Sequence, residues 1–413
     1  MKILLVLDDF PPVTYTGQSI VAYNLAQGLL RSGHEVIVIT SVQNKLTAGY
    51  SIYDGIGVHR IFSDYNDRFH DIFYHYISIY NPQIIPEFKR LIAEIRPDVC
   101  HFHNVHGYIS YYCFKLASKH SRSVFLTAHD LLLVSYGKMW PKNGNCLYRL
   151  RFWDNLLSAR KRYNPFRNLF IRHYLRYVDK IFCISQGQNE ILQLNGIKKT
   201  ETIYNAINTN EWRASAESVD RFKEKFNLLR KKIVLFGARL SEAKGGEAII
   251  RAMSIVAKAV PDAVLVVVGK SDGYADQMMD LAKADSINQK IIFTDWLSRE
   301  EICSAFFAAN VCVTPSIYFD PFNLFNIESM AAGKPVVGTC YGGTPEIVVD
   351  GVTGYIVDPL KIDIFAGKII ELLNNHEMAD MFGQSGHQRV IEYFSIGGQV
   401  EETLKQYDSF INV

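Results

Sequence analysis

Short apolar, β-branched runs recur along the chain, separated by stretches whose apolar residues repeat with the period of a helix. In the first half the runs cover residues 2–9, 35–41, 98–104, 123–130 and 180–185. In the second they cover 231–240, 263–270, 290–297, 311–316 and 335–340. Helix candidates such as GQSIVAYNLAQGLLRSG and GEAIIRAMSIVAKAV lie between them. Continuous apolar strands alternating with helices predict buried parallel sheets, and two such sets predict two doubly wound α/β domains. A chain of 413 residues also exceeds what one core usually serves. The strand pattern breaks over 208–230, so the expected domains are 1–210 and 211–394. The final helix, within 395–413, fits either half by pattern; we expect it to pack back towards the N-terminal domain.

Composition narrows the classes. Hydrophobic residues make up 48% and charged residues 21%, and the net charge of +2 gives no global reason to expect nucleic acid. Met1 leads into a run too short for a secretion signal, and no stretch reaches the ~20 apolar residues of a membrane span. The seven cysteines form no C-x-x-C pair, which fits buried thiols in a reducing cytoplasm.

Ligands of open parallel sheets bind beyond the carboxyl ends of the strands. The residues there are Asp8 and Gly17, His101 and His103, His129 and Asp130, Ser185, Gly237 and Arg239, Gly269, and Asp320. Gly17 opens a helix, where free N–H groups suit phosphate, although no G-x-G-x-x-G is present. Arg239 and Lys244 precede a helix starting near Gly246, a good arrangement for clamping a pyrophosphate. His129 ends a strand, placed to donate to a substrate hydroxyl. His101 and His103 share one strand face, a spacing metals use, but no third ligand is identifiable. Nor is there an Asp-x-Asp of the kind that holds a metal–nucleotide, so metal-independent chemistry is favoured.

In PSIYFDPFNLFNIESMAAGKPVV, Asp320 and Glu328 stand eight positions apart. Pro321 disfavours helix at Asp320 and suits a first helical turn, which puts Asp320 on a loop and Glu328 on the helix. Residues 138–180 carry eleven Lys or Arg against Asp154 and Asp179, interleaved with aromatics. That mixture fits an anionic membrane surface or an extended helical insertion whose aromatics are core.

With these residues assembled, the chain resembles retaining glycosyltransferases of family 4, the glycogen-synthase-like group of GT-B architecture. The strings GARLSEAKGG, VVVGK, DPFNLFNIESMAAGKPVVGT, GGTPEIVVDGVTGYIVDP, SGHEVIVIT, HFHN and TAHDLLLV carry the resemblance. It implies two Rossmann-like domains facing across a cleft, an N-terminal acceptor domain and a C-terminal domain for the nucleotide sugar. It implies that Asp320 meets donor-sugar hydroxyls, that Phe322, Asn323 and Leu324 offer backbone N–H groups, and that Glu328 binds the ribose. Arg239 and Lys244 would hold the pyrophosphate, Gly17 would approach it from the other domain, and His129 would contact the sugar near its reacting carbon. Gly237 and Gly269 are expected on the donor side; Thr16, His103 and Tyr136 on the acceptor side.

The family pattern has two glutamates here. Asp320 replaces the first and reaches about 1.5 Å less, one carbon–carbon bond. Asn323 replaces a glycine, and Thr16-Gly17 stands for Gly-Gly. The expected activity is retaining, metal-independent transfer of a sugar from a UDP- or GDP-linked donor, with no other cofactor. The acceptor would be a glycan or lipid-linked group of envelope polysaccharide synthesis at the inner membrane face. The competing readings are a GT-B nucleotide-sugar epimerase and a non-catalytic nucleotide-sugar-binding protein. The missing glycine fingerprint argues against a Rossmann dehydrogenase.

Overall fold

The computed structural model describes residues 1–65, 73–237, 240–271 and 273–411. The chain divides into two compact units, one comprising Met1–Met139, Leu147–Ala206 and Ile396–Val413, the other Trp140–Cys146 and Ile207–Ser395.

The sheet of the first unit contains β1 (Lys2–Leu7), β2 (Glu35–Val42), β3 (Gly49–Tyr53), β4 (Ile56–Phe62), β5 (Val99–His103), β6 (Ser123–Ala128), β7 (Lys180–Cys183) and β8 (Thr200–Thr202). Their order is β3-β4-β2-β1-β5-β6-β7-β8, and only β3 and β4 pair antiparallel. That hairpin turns through Asp54 and Gly55, both at positive φ, the D-G signal of a tight hairpin. It adds an edge beyond the five runs legible in the first half. The central strands are buried on both faces, which is why they read as continuous apolar runs.

The second unit has β9 (Lys232–Phe236), β10 (Ala263–Val267), β11 (Ile291–Phe293), β12 (Val311–Thr314), β13 (Val336–Thr339) and β14 (Gly354–Val357). All pair parallel in the order β11-β10-β9-β12-β13-β14. Val234, Leu265 and Val313 meet Ile249, Met253 and Phe365 in its core. The segment whose strand pattern breaks contains the helix Ala216–Lys225, which belongs to this unit.

The last helix, Ile396–Ile411, returns to the first unit. Tyr407 is fully buried there, its hydroxyl 2.6 Å from His101 Nδ1, while His101 Nε2 lies 2.7 Å from Thr127 Oγ1. Both nitrogens of this strand histidine are therefore committed to protein partners, and the two-histidine metal spacing is not a site. Within the basic segment, Phe152, Trp153, Leu157, Phe166 and Leu169 are each more than half exposed. They lie on or beside the helices Phe152–Ala159 and Arg167–Tyr174. Arg167, by contrast, is wholly buried, donating to the carbonyls of Ser135 and Leu132 and to Asn168 Oδ1. Among the described residues, no helix is long and apolar enough to cross a membrane.

Replacing Tyr407 by Phe would strand a buried imidazole nitrogen, a loss of about 1–3 kcal/mol. Thermal unfolding of Tyr407→Phe is expected at a lower midpoint than the parent; an unchanged midpoint would show that the bond to His101 contributes nothing.

Candidate functional site

In the second unit, polar residues gather where β9 and β12 end. Lys244 sits two residues before the helix Gly246–Ala259, and its Nζ lies 2.6 Å from Asp320 Oδ2. Burial alone would depress the Lys244 ammonium; Asp320 and the hydroxyl of Tyr318 outweigh it and hold its pKa above the usual lysine value. Asp320 is non-helical, as Pro321 requires, and its backbone is fixed from the neighbouring turn. Gly343 N–H donates to the Asp320 carbonyl at 2.8 Å. Gly342, at φ +73, lies so close that a Cβ there would stand 2.1 Å from the same oxygen. The Asp320 loop also binds the Lys244 loop, through Ile317 N–H on the Ala243 carbonyl at 2.9 Å.

The helix Leu324–Ala331 follows, with Asn323 as its cap: Asn323 Oδ1 accepts from Phe325 N–H at 3.2 Å. An asparagine side chain thus replaces glycine at a position that favours capping residues. Asn326, missed by sequence reasoning, pins this helix by bonds to Thr314 Oγ1 at 2.8 Å and Thr344 Oγ1 at 3.1 Å. Glu328 is partly buried and makes no hydrogen bond among the described residues. Desolvation raises its pKa to about 7 against the opposing charge of Arg299. Phe322 is buried, its ring edge-on to Phe394 with centroids 5.8 Å apart.

Gly237 has a packing reason of its own, since a Cβ there would fall 1.7 Å from the Phe325 ring. Gly269 follows β10. Arg239 lies outside the described residues.

The first unit holds a separate cavity of about 330 Å³, lined by residues following β1, β5 and β6. Asp8 forms its floor, accepting N–H bonds from Gly107, Tyr108 and Ile109 at 2.7, 2.8 and 2.7 Å. Thr16 caps the helix Gly17–Arg31 through a reciprocal pair with Ser19, and Gly17 is its exposed first residue. His106 Nε2 lies 3.2 Å from Asp130 Oδ2, which also accepts from Asn104 Nδ2 at 2.8 Å. Burial pulls the His106 pKa down and that of Asp130 up, but their mutual attraction wins in both, raising the histidine and lowering the aspartate. Asp9 lines the cavity without a hydrogen bond among the described residues, and desolvation, aided by the charge of Asp8, raises it to about 6.

His129 lines the same cavity with its Nε2 turned to His103 Nδ1 at 3.0 Å, the rings stacked. His103, expected beside an acceptor, is 1% exposed and sits behind His129 instead. Burial keeps both neutral, with His129 lowered to about 4. His103 Nε2 is buried without a partner. An orphaned N–H is costlier than an orphaned lone pair, which favours the tautomers in which His103 Nδ1–H donates to His129. The remaining proton of His129 then lies on Nδ1, its other ring nitrogen.

Tyr136, also expected beside an acceptor, is buried; its hydroxyl donates to the Asn164 carbonyl and Arg167 lies over its ring at 4.7 Å. The histidines of HFHN marked this region in sequence, but Asp9, Tyr74 and His106 carried no individual signal. Among the described residues no group of three or more His, Cys, Asp or Glu is placed to hold a metal.

Comparison with known proteins bears on both units. The glycosyltransferase family 4 profile matches residues 15–211, and the glycosyl transferases group 1 profile matches 218–389. An uncharacterized glycosyltransferase of Methanocaldococcus jannaschii is 24% identical over 98% of each chain. A GDP-mannose-dependent phosphatidylinositol monomannoside mannosyltransferase of Mycolicibacterium smegmatis is 26% identical over 45% of this chain and 50% of its own. Among solved structures, sucrose-phosphate synthase of Thermosynechococcus elongatus superposes with TM-score 0.79 at 20% identity over the whole of both chains. The Anabaena protein HepE, solved with UDP and glucose, gives 0.72 at 14% over 99% of this chain and all of its own. The two profiles meet where one sheet system gives way to the other, and the chain belongs to the group 1, family 4 glycosyltransferases with the two-domain GT-B fold.

Proposed function

We propose that the chain transfers a sugar from a UDP- or GDP-linked donor to a glycan or lipid-linked acceptor, with retention of configuration and without a metal. The observation that carries this is the Lys244–Asp320 pair, which stands by a helix start in the same unit as Glu328, a carboxylate with no hydrogen bond among the described residues. A cation, a sugar-facing carboxylate and a second carboxylate for ribose are what the parts of a nucleotide sugar require. HepE, solved with UDP and glucose, and the mycobacterial relative named as GDP-mannose-dependent support both donor bases.

Before the donor arrives, Lys244 and Asp320 neutralise each other. In the proposed complex Lys244 turns to the diphosphate, with Arg239 as second cation, and Asp320 accepts from a sugar hydroxyl. The amides of Phe322, Asn323 and Leu324 and the small residues Gly17, Gly237 and Gly269 complete the donor side. Charge on the departing diphosphate is then met by groups already fixed in place. His129 donates from Nδ1 to the sugar, and Thr16 borders the acceptor. With no carboxylate nucleophile assigned, retention is read as front-face departure, the leaving phosphate taking the acceptor proton.

The exposed aromatics on the helices Phe152–Ala159 and Arg167–Tyr174, among basic residues such as Arg149, Arg151 and Lys161, support contact with an anionic membrane surface at its inner, cytoplasmic face.

Three measurements test this reading. Asp320→Asn frees Lys244, so a nucleoside diphosphate should bind about tenfold tighter, ~1.4 kcal/mol, by titration calorimetry while sugar transfer falls. Weaker binding would mean that the pair does not compete with phosphate. Glu328 ionises through a pKa of about 7, so binding that uses its carboxylate strengthens as pH rises from 6 to 8. Glu328→Gln should flatten that dependence, and an identical profile in the variant would remove the ribose role. Vesicles rich in phosphatidylglycerol should float the protein at low salt, and Trp153→Ser with Phe166→Ser should abolish flotation; absence of the parent from the floated fraction would count against the membrane assignment.

A further inference from the structure

The cavity of the first unit is acidic in a way that bears on what it accepts. Its lining includes the carboxylates of Asp8, Asp9 and Asp130 and, among the described residues, no lysine or arginine. Asp8 is satisfied by three backbone N–H groups, and Asp130 by His106 and Asn104. Among the described residues Asp9 has neither a cation nor a donor. The nearby Arg167 does not line the cavity; it is buried and donates to Leu132, Ser135 and Asn168.

The cavity also presents hydrogen-bonding groups with nothing to bond. His106 is nine-tenths buried, with Nε2 on Asp130 and, among the described residues, no partner for Nδ1. Among the described residues the Tyr74 hydroxyl makes no hydrogen bond, and Thr16 Oγ1 accepts from Ser19 with no acceptor for its own proton. A volume of about 330 Å³ is at the small end of ligand pockets and admits one ring.

We infer that this cavity is a subsite for an uncharged, hydroxyl-rich ring, and that Asp9 makes it reject the same ring carrying a phosphate. Each hydroxyl of such a ring both donates and accepts, so it answers the carboxylate of Asp9, the hydroxyl of Tyr74 and the free ring nitrogen of His106 together. A phosphate brings a charge near −2 against the Asp9 carboxylate and finds no lysine or arginine among the described lining residues. The inference rests on reading this unit as the acceptor side, and it specifies the acceptor's chemistry: the ring being glycosylated carries no phosphate.

Saturation-transfer NMR on the full chain, without donor, tests it with a panel of neutral hexoses and cyclitols set against their monophosphates. At least one neutral ring should bind tenfold or more tighter than its phosphate. Asp9→Lys, its fold checked by circular dichroism, should narrow or reverse that ratio, and Asp9→Asn should reduce it. Equal or tighter binding of the phosphates, no binding by any neutral ring, or a ratio unmoved by Asp9→Lys would each overturn the inference. Thermal shift with UDP and GDP, run in parallel, separates the two readings. Loss of nucleotide binding with ring selectivity intact would sink the transferase proposal and leave the cavity's specificity standing.

Discussion

Much of the first unit is organised by one buried carboxylate. Asp8 follows the strand β1 and gathers the N–H groups of residues 107–109, while its own carbonyl accepts from Ser41 Oγ at 2.8 Å. One residue thereby ties the ends of β1 and β2 to the loop that follows β5. That loop holds His106, and His106 in turn fixes Asp130 beyond β6. Three N–H donors ordinarily hold a carboxylate's pKa low, yet burial outweighs them and the pKa of Asp8 is raised. Ionising Asp8 therefore costs folding free energy, a cost that grows as pH rises through its folded-state pKa. A group kept against such a cost is a functional-site candidate in its own right.

The second unit uses a carboxylate at a strand end differently. Asp320 has its backbone fixed by Gly343 and crowded by Gly342, but its side chain meets a cation rather than a set of amides. Amides anchored in a folded loop cannot leave Asp8, whereas a lysine on four methylenes can leave Asp320 when a phosphate competes for it. The first arrangement builds a floor; the second leaves a side chain exchangeable.

The sequence made the sheets legible because parallel strands buried on both faces read as unbroken apolar runs. The same feature hid what the strand side chains do. A run such as DVCHFHN does not say which histidine faces a ligand, and in the fold His101 and His103 both turn inward. The partner of His101 is Tyr407, 306 positions away, beyond any local pattern. The β3–β4 hairpin escaped because its edge strand is largely exposed and carries no apolar run, although Asp54-Gly55 announced its turn. β8 and β14, at three and four residues, are too short to show a period. Asp320 on a loop and Glu328 on a helix were legible because Pro321 constrains backbone, a local effect. The burial of Tyr136 and Arg167 depends on contacts across tens of residues, so a basic aromatic stretch could not be divided beforehand into its exposed and buried members.

The charge states of the two units bear on the proposed chemistry. His129, lowered to about 4, is neutral at physiological pH, and burial lowers its partner His103 as well. A neutral imidazole orients a sugar hydroxyl by a hydrogen bond but supplies little positive charge to a departing group. Lys244, its pKa raised by Asp320 and Tyr318, is charged throughout the neutral range. In the proposed reaction the negative charge develops on the diphosphate, so stabilisation has to come from a cation that does not titrate near neutrality. Exchanging the two environments would fail: a histidine buried like His129 would be uncharged when the diphosphate leaves. The residue types therefore follow from where charge appears, with imidazole where only direction is needed and ammonium where charge must be met.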